Sequence, residues 1–179
     1  MRPFSEAEQR ILSRLLSVEF DGVQELRAQA THISGVEPNC TCGCPSITPT
    51  IDRSLAPPAD GPRILPVELQ ELERPNGLER TVICFLDEDG YLANLECVFY
   101  DDAVDEWPEA DECAALLRDS ERYLNAVRLP SGAHVSPQDS GDHWVSFEIE
   151  QSGFSAATWS GWRETYSNSG ELTARVFTK

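Results

Sequence analysis

Between residues 64 and 100 the chain alternates strand and turn signals, and this alternation narrows its folds more than any other feature. Ile64 to Leu72 sets Leu65, Val67 and Leu69 against Glu68 and Gln70, the period of a half-buried strand. Arg74-Pro75-Asn76-Gly77 then supplies a turn with an Asn-Gly step. Arg80 to Leu86 is dense in Val, Ile, Cys and Phe, so cover on both faces is expected. Asp87-Glu88-Asp89-Gly90 is a second hairpin turn, and Tyr91 to Tyr100 follows as a strand with Leu95, Cys97 and Phe99 on one face. Strands joined by tight turns predict an antiparallel meander, whose apolar face needs a covering layer.

The N-terminal residues offer that layer. Ser5-Glu6-Ala7-Glu8 reads as a capping box, and Ile11, Leu12, Leu15 and Leu16 recur at helical spacing, which predicts a helix over 6–17. Asp21 followed by Gln24 is a second capping signature, and Val23, Leu26 and Ala30 form a stripe for a helix over 22–30. Ile47 to Ile51 is a short strand that Pro49 assigns to an edge. Residues 54–62, with Pro57, Pro58 and Pro62, form a loop.

Residues 101–112 change character and suggest a boundary, giving a helix-helix-meander domain over 1–108 and a C-terminal extension or small second domain over 109–179. In the extension Cys113 to Leu117 reads as a short helix, and Glu121 to Leu129 stays open between helix and strand. Pro130 to Gly141 is a loop, and His143 to Glu150 alternates as a strand. Ser155 then caps a helix carrying Trp159, Trp162 and Tyr166 and ending near Gly170, before a closing strand from Leu172 to Phe177. The expected class is α+β: two N-terminal helices packed on an antiparallel meander, with a C-terminal strand-helix-strand extension.

Asn39-Cys40-Thr41-Cys42-Gly43-Cys44-Pro45-Ser46 places three thiols within five residues. Gly43 lets the backbone fold back, so Cys40, Cys42 and Cys44 are candidate metal ligands, with zinc the expected ion. A fourth ligand would come from His32 or a distant cysteine. The paired ligand sets of ordinary structural zinc sites are missing, because Cys84, Cys97 and Cys113 stand alone and read as small buried hydrophobes. The competing reading is a packed turn with thiols as filler. A redox role is weaker, since no helix begins directly behind the cluster.

Charge supplies the other candidate. Fourteen basic residues against 31 acidic ones give −17, a field that repels nucleic acid phosphates and anionic membrane surfaces and attracts basic partners. An acidic mimic of nucleic acid would need a regular line of charges that the sequence does not display. Between 101 and 112 stand seven acids and no base. Tyr100, Asp101, Asp102, Asp105, Glu106 and Trp107 there combine aromatic anchors with carboxylates, as a surface for a basic protein partner requires. A solvated linker would have the same composition.

Nothing marks a catalytic centre: there is no G-x-S-x-G, phosphate loop, G-x-G-x-x-G or H-E-x-x-H. Asp142 and His143 would point to opposite faces of a strand, and a Cys44–His143 pair has no support in the spacing. The acidic turn Asp87-Glu88-Asp89-Gly90 lacks the twelve-residue frame of a calcium loop. The start Met1-Arg2-Pro3-Phe4-Ser5-Glu6 leads straight into a charged pattern, and no run of about 18 apolar residues occurs. The expected compartment is the cytoplasm, where thiols stay reduced.

Residues from about 3 to 108 resemble a family of small bacterial proteins. The likeness lies in Ser5-Glu6-Ala7-Glu8, Phe20-Asp21-Gly22, Leu26-Arg27-Ala28-Gln29, Cys40-Thr41-Cys42-Gly43-Cys44-Pro45, Gly90-Tyr91-Leu92, and Phe99-Tyr100 before Trp107-Pro108. It implies a fold unit and no chemistry, and it does not extend to 113–179. The reading of role is therefore a non-enzymatic acidic binding protein, in its most concrete form an immunity-type inhibitor of a basic toxin. The alternative is a small zinc- or thiol-dependent protein using Cys40, Cys42 and Cys44.

Overall fold

The computed structural model describes residues 1–71, 80–99, 105–119, 123–138 and 144–177. Two helices come first, α1 (Glu6–Leu15) and α2 (Val23–Ala30). Strands β1 (Ile33–Pro38), β2 (Ile47–Ile51), β3 (Val67–Glu71), β4 (Arg80–Leu86) and β5 (Leu92–Phe99) follow. After a 3-10 turn at Ala110–Glu112 come β6 (Cys113–Arg118), β7 (Leu124–Arg128) and β8 (His134–Val135). The chain ends with β9 (Trp144–Glu150), β10 (Gly153–Thr158), β11 (Trp162–Ser167) and β12 (Leu172–Phe177).

The expected meander β3-β4-β5 is present at the centre of an eight-stranded antiparallel sheet ordered β1-β2-β5-β4-β3-β6-β7-β8. The last four strands form a second antiparallel sheet in the order β12-β11-β10-β9. The α+β expectation, helices on a meander with a strand-helix-strand extension, is thereby overturned. The protein is mostly β, and among the described residues no α-helix follows α2. The boundary read at 108/109 falls between β5 and β6, two strands of the same sheet, and β3 pairs with β6 from Val67↔Leu117 to Glu71↔Cys113.

Two cores sit on opposite faces of the large sheet. On one face Ile11, Leu15 and Leu26 of the helices pack against Val67, Leu69, Val82 and Leu95. On the other, Leu116, Val127 and Leu129 meet Ile149, Phe154 and Tyr166 of the small sheet. Strand β6 belongs to both, with Cys113 and Ala115 in the first core and Ala114 and Leu116 in the second. This explains the mistaken helix at 113–117. A run covered on both faces loses its two-residue alternation, and Ala and Leu then favour helix by propensity alone.

The helix expected after Ser155 is instead the β10–β11 hairpin, closed by Gly161 N–H donating to Thr158 O at 3.1 Å. Trp162 and Tyr166 are four residues apart, a spacing that one helix face and one strand face share. Trp159 lies at the turn and is 87% exposed. Glu164 between them is fully buried, accepting from Tyr166 Oη at 2.6 Å and Gln138 N at 2.9 Å, with Arg175 Nε 3.0 Å away. An inward acid concealed the alternation.

The capping box of α1 is formed: Glu8 N donates to Ser5 Oγ at 3.4 Å and Ser5 N to Glu8 Oε2 at 2.7 Å. The second capping signature is not, because Gly22, at φ +85°, caps α2 without a side-chain bond. Pro49 does not lie on an edge strand, for β2 sits between β1 and β5. Val36, its partner, bonds Arg2 on the other side through both N–H and C=O, so the missing Pro49 N–H faces away from β1. Toward β5 the β2 register is confined to Ile47↔Leu95, and no ladder bond is lost.

Candidate functional sites

The thiol motif is the tip of the β1–β2 hairpin. Pro38 pairs with Ile47 and Asn39 N–H donates to Ser46 O at 2.9 Å, so residues 40–45 extend beyond the ladder. Gly43 takes φ +89°, and the space a Cβ would fill there is open. That left-handed residue reverses the backbone between Cys42 and Cys44. The Sγ atoms of Cys40, Cys42 and Cys44 all lie within 4.8 Å of one another. Cys40 and Cys42 are joined as a disulfide, and Cys44 Sγ is 3.1 Å from Cys40 Sγ. Cys40 and Cys42 are exposed and Cys44 is half-buried.

The structure takes His32 away from this cluster. It precedes the far end of β1, where Asp52 N–H donates to its carbonyl at 3.1 Å. The length of β1 separates it from the tip, roughly 20 Å at about 3.3 Å per residue. The other cysteines are buried, as expected of small hydrophobes. Burial pushes the Cys84 and Cys113 thiols up to about 12, near the range where they never ionise in the cell. Burial also raises Cys97, to about 11, with the Arg80 guanidinium opposing it. Cys97 sits directly behind the tip, its N–H donating to Ser46 Oγ at 3.0 Å. Among the described residues the tip is the one grouping of three or more Cys, His, Asp or Glu side chains with metal-holding geometry.

The acidic stretch forms a second candidate. Tyr100, Asp101 and Asp102 lie outside the described residues, whereas Asp105, Glu106 and Trp107 are placed. A buried Arg80–Glu71 ion pair anchors this stretch, because Arg80 Nη1 also donates to Glu106 O at 2.9 Å. Trp107 is half-buried against the helix-side core. The segment then runs beside α1, leaving a groove of about 550 Å³ whose lining includes Glu6, Arg10, Asp105, Glu106, Trp107 and Glu109. Arg10 is already engaged by Asp111 at 2.7 Å. The four carboxylates of the groove form no ion pair among the described residues. Glu6 and Glu109 complete this lining beyond the site read from sequence. Glu109 stood in the acidic run, while Glu6 was legible only as part of a helix cap.

The acidic turn at 87–90 is a closed structural unit. Arg53 bridges Asp87 and Asp89, and Asp87 Oδ1 accepts from Asp89 N and Tyr91 N. His143, the other half of the thiol–imidazole pair, lies outside the described residues. No described helix is long and apolar enough to cross a membrane.

No family model, no curated protein and no solved structure matches this chain.

Proposed function

We propose that this protein is a non-catalytic acidic binding protein whose groove between α1 and residues 105–110 receives a basic segment of a protein partner. The observation that carries this reading is the meeting, in a single groove, of one half-buried indole and four carboxylates that form no ion pair among the described residues. The ring offers contact area at the floor, and the acids steer and select. The net charge of −17 strengthens the approach of a cation and disfavours nucleic acids and anionic membranes. Inhibition of a basic toxin, in the manner of an immunity protein, is its most concrete form. The cytoplasm is the compartment that goes with it, and the free buried thiols Cys84, Cys97 and Cys113 are at ease there.

Calorimetric titration with a Lys/Arg-rich decapeptide tests the groove. The Asp105→Lys, Glu106→Lys, Glu109→Lys triple variant is expected to bind at least tenfold more weakly. A control reversing the exposed Glu37, Glu88 and Glu171 separates the groove from net charge. Equal weakening in both variants would reject the groove.

The convergence of Cys40, Cys42 and Cys44 favours a second reading, a metal- or thiol-dependent protein. Native mass spectrometry of reduced protein with and without a chelator is its direct test.

A further inference from the structure

We infer that the hairpin tip, once reduced, is a three-coordinate thiolate site for a soft monovalent cation of the Cu(I) class, and not a four-coordinate zinc site. The inference rests on the second reading above, that the tip holds a metal at all, and it commits to which one.

Coordination number decides between the two ions. Structural zinc takes four protein ligands in a tetrahedron, while soft thiolates also select Cu(I). Cu(I), with a filled d shell, is content with three sulfurs in a plane. The tip provides three Sγ atoms within 4.8 Å of one another, and no fourth Cys, His, Asp or Glu atom joins them among the described residues. Among the described residues, the candidates read from the sequence and the acid nearest the tip in the hydrogen-bond network lie elsewhere or are engaged. His32 stands at the other end of β1. Glu96 Oε1 is held by Asn39 Nδ2 at 3.1 Å. Cys97 is buried behind Ser46 in the sheet and is not among the thiols that converge at the tip. Cys84 and Cys113 are buried in the helix-side core.

The site is also accessible and adaptable. Cys40 and Cys42 are exposed, so an ion can be handed over by a donor thiol. Gly43 has open space where a side chain would stand, so nothing there blocks the small adjustment that sets three sulfurs at equal distance around one ion. Loading requires that the Cys40–Cys42 disulfide be opened. Two molecules of a monothiol reductant do this, each giving one electron and one proton; two cysteine thiols form, and the reductant leaves as its own disulfide. Cu(I) then accepts a lone pair from each of three sulfurs, and three thiol protons pass to solvent. No electron moves in that second step.

The experiment uses the intact chain, reduced and kept free of oxygen. Cu(I) is titrated against a chromophoric Cu(I) chelator, and Zn(II) is loaded separately and passed through a desalting column. The expected result is one Cu(I) per chain, with a copper K-edge spectrum of a three-coordinate sulfur site and no zinc retained. Cys40→Ser, Cys42→Ser and Cys44→Ser should each weaken copper binding at least tenfold, and Cys97→Ser should leave it unchanged. Stoichiometric zinc retention, or a fourth ligand lost in Cys97→Ser, would overturn the three-coordinate assignment and leave the metal reading standing. Binding of neither ion would remove both.

Discussion

Two buried polar side chains show how single residues hold this fold. Gln29 Nε2 donates to Pro57 O at 2.9 Å and Gly90 O at 3.0 Å, while its Oε1 accepts from Leu92 N at 2.9 Å. One amide thus ties α2 to the long loop and to the β4–β5 turn. Gln29→Leu keeps the volume but strips Pro57 O and Leu92 N–H of this partner, while Gly90 O keeps Ala59 N–H at 2.9 Å. Chemical denaturation should show a loss of about 1–3 kcal/mol, the usual cost of a buried group left unsatisfied. Glu8 is buried too, which by itself would raise its pKa. Hydrogen bonds from Arg2 and from the Ser5 backbone and hydroxyl outweigh that, and the carboxyl is held below its ordinary value. The sign follows: a depressed folded pKa contributes stability in full above the unfolded value of about 4.3, and loses it as pH falls through the folded value. Wild type should exceed Glu8→Gln in stability at neutral pH, and the gap should close under acid titration below about pH 4.

Hairpins dominate at the next scale up, and the β10–β11 hairpin is the sharpest case. Gly153 opens β10 at φ +152°, and a Cβ there would stand 1.9 Å from Tyr166 O, the carbonyl across the ladder. Gly153→Ala should therefore disrupt β10 against β11, costing about 1–3 kcal/mol in thermal unfolding, the scale of a strained backbone position. The meander β3-β4-β5 was legible in the sequence because its strands alternate and the Asp87–Gly90 turn carries a Gly; the expected turn at Arg74-Pro75-Asn76-Gly77 lies outside the described residues. Strand β1 was not, since Ile33-Ser34-Gly35-Val36-Glu37-Pro38 joins a Gly and a Pro in a short polar run. Its partners supply what the sequence lacks: β2 on one side and the Arg2 bridge on the other. The C-terminal strands were misread where burial overrode pattern, at two-sided β6 and at the inward Glu164. Of the candidate sites, the three thiols could be read directly from their spacing, but the groove could not, for it needs Glu6 of α1 beside Glu109.

Across the whole molecule, β6 is the wall that both cores share. Leu116 is fully buried against the small sheet, with the β6 backbone between it and the helix-side core. Leu116→Ala should cost about 2–5 kcal/mol as a core truncation. Because the strand is common, near-UV circular dichroism and far-UV signals should melt together; separate transitions would show that the two cores unfold independently. The charge acts at this scale as well. With −17 to accommodate, carboxylates repel one another in the compact state. Raising salt from about 10 mM to about 150 mM, which shortens the screening length from roughly 30 Å to 8 Å, should raise the melting temperature.

The thiol tip has a property that follows from its brevity. Its donors span Cys40 to Cys44, so a random coil carries the same claw that the native hairpin does. An ion held by both end states pulls on neither, and linkage then adds little to native stability. A copper-loaded sample should melt close to the metal-free one however tightly it grips, which would let the chain take up and surrender its cargo while the sheets beneath stay as they were.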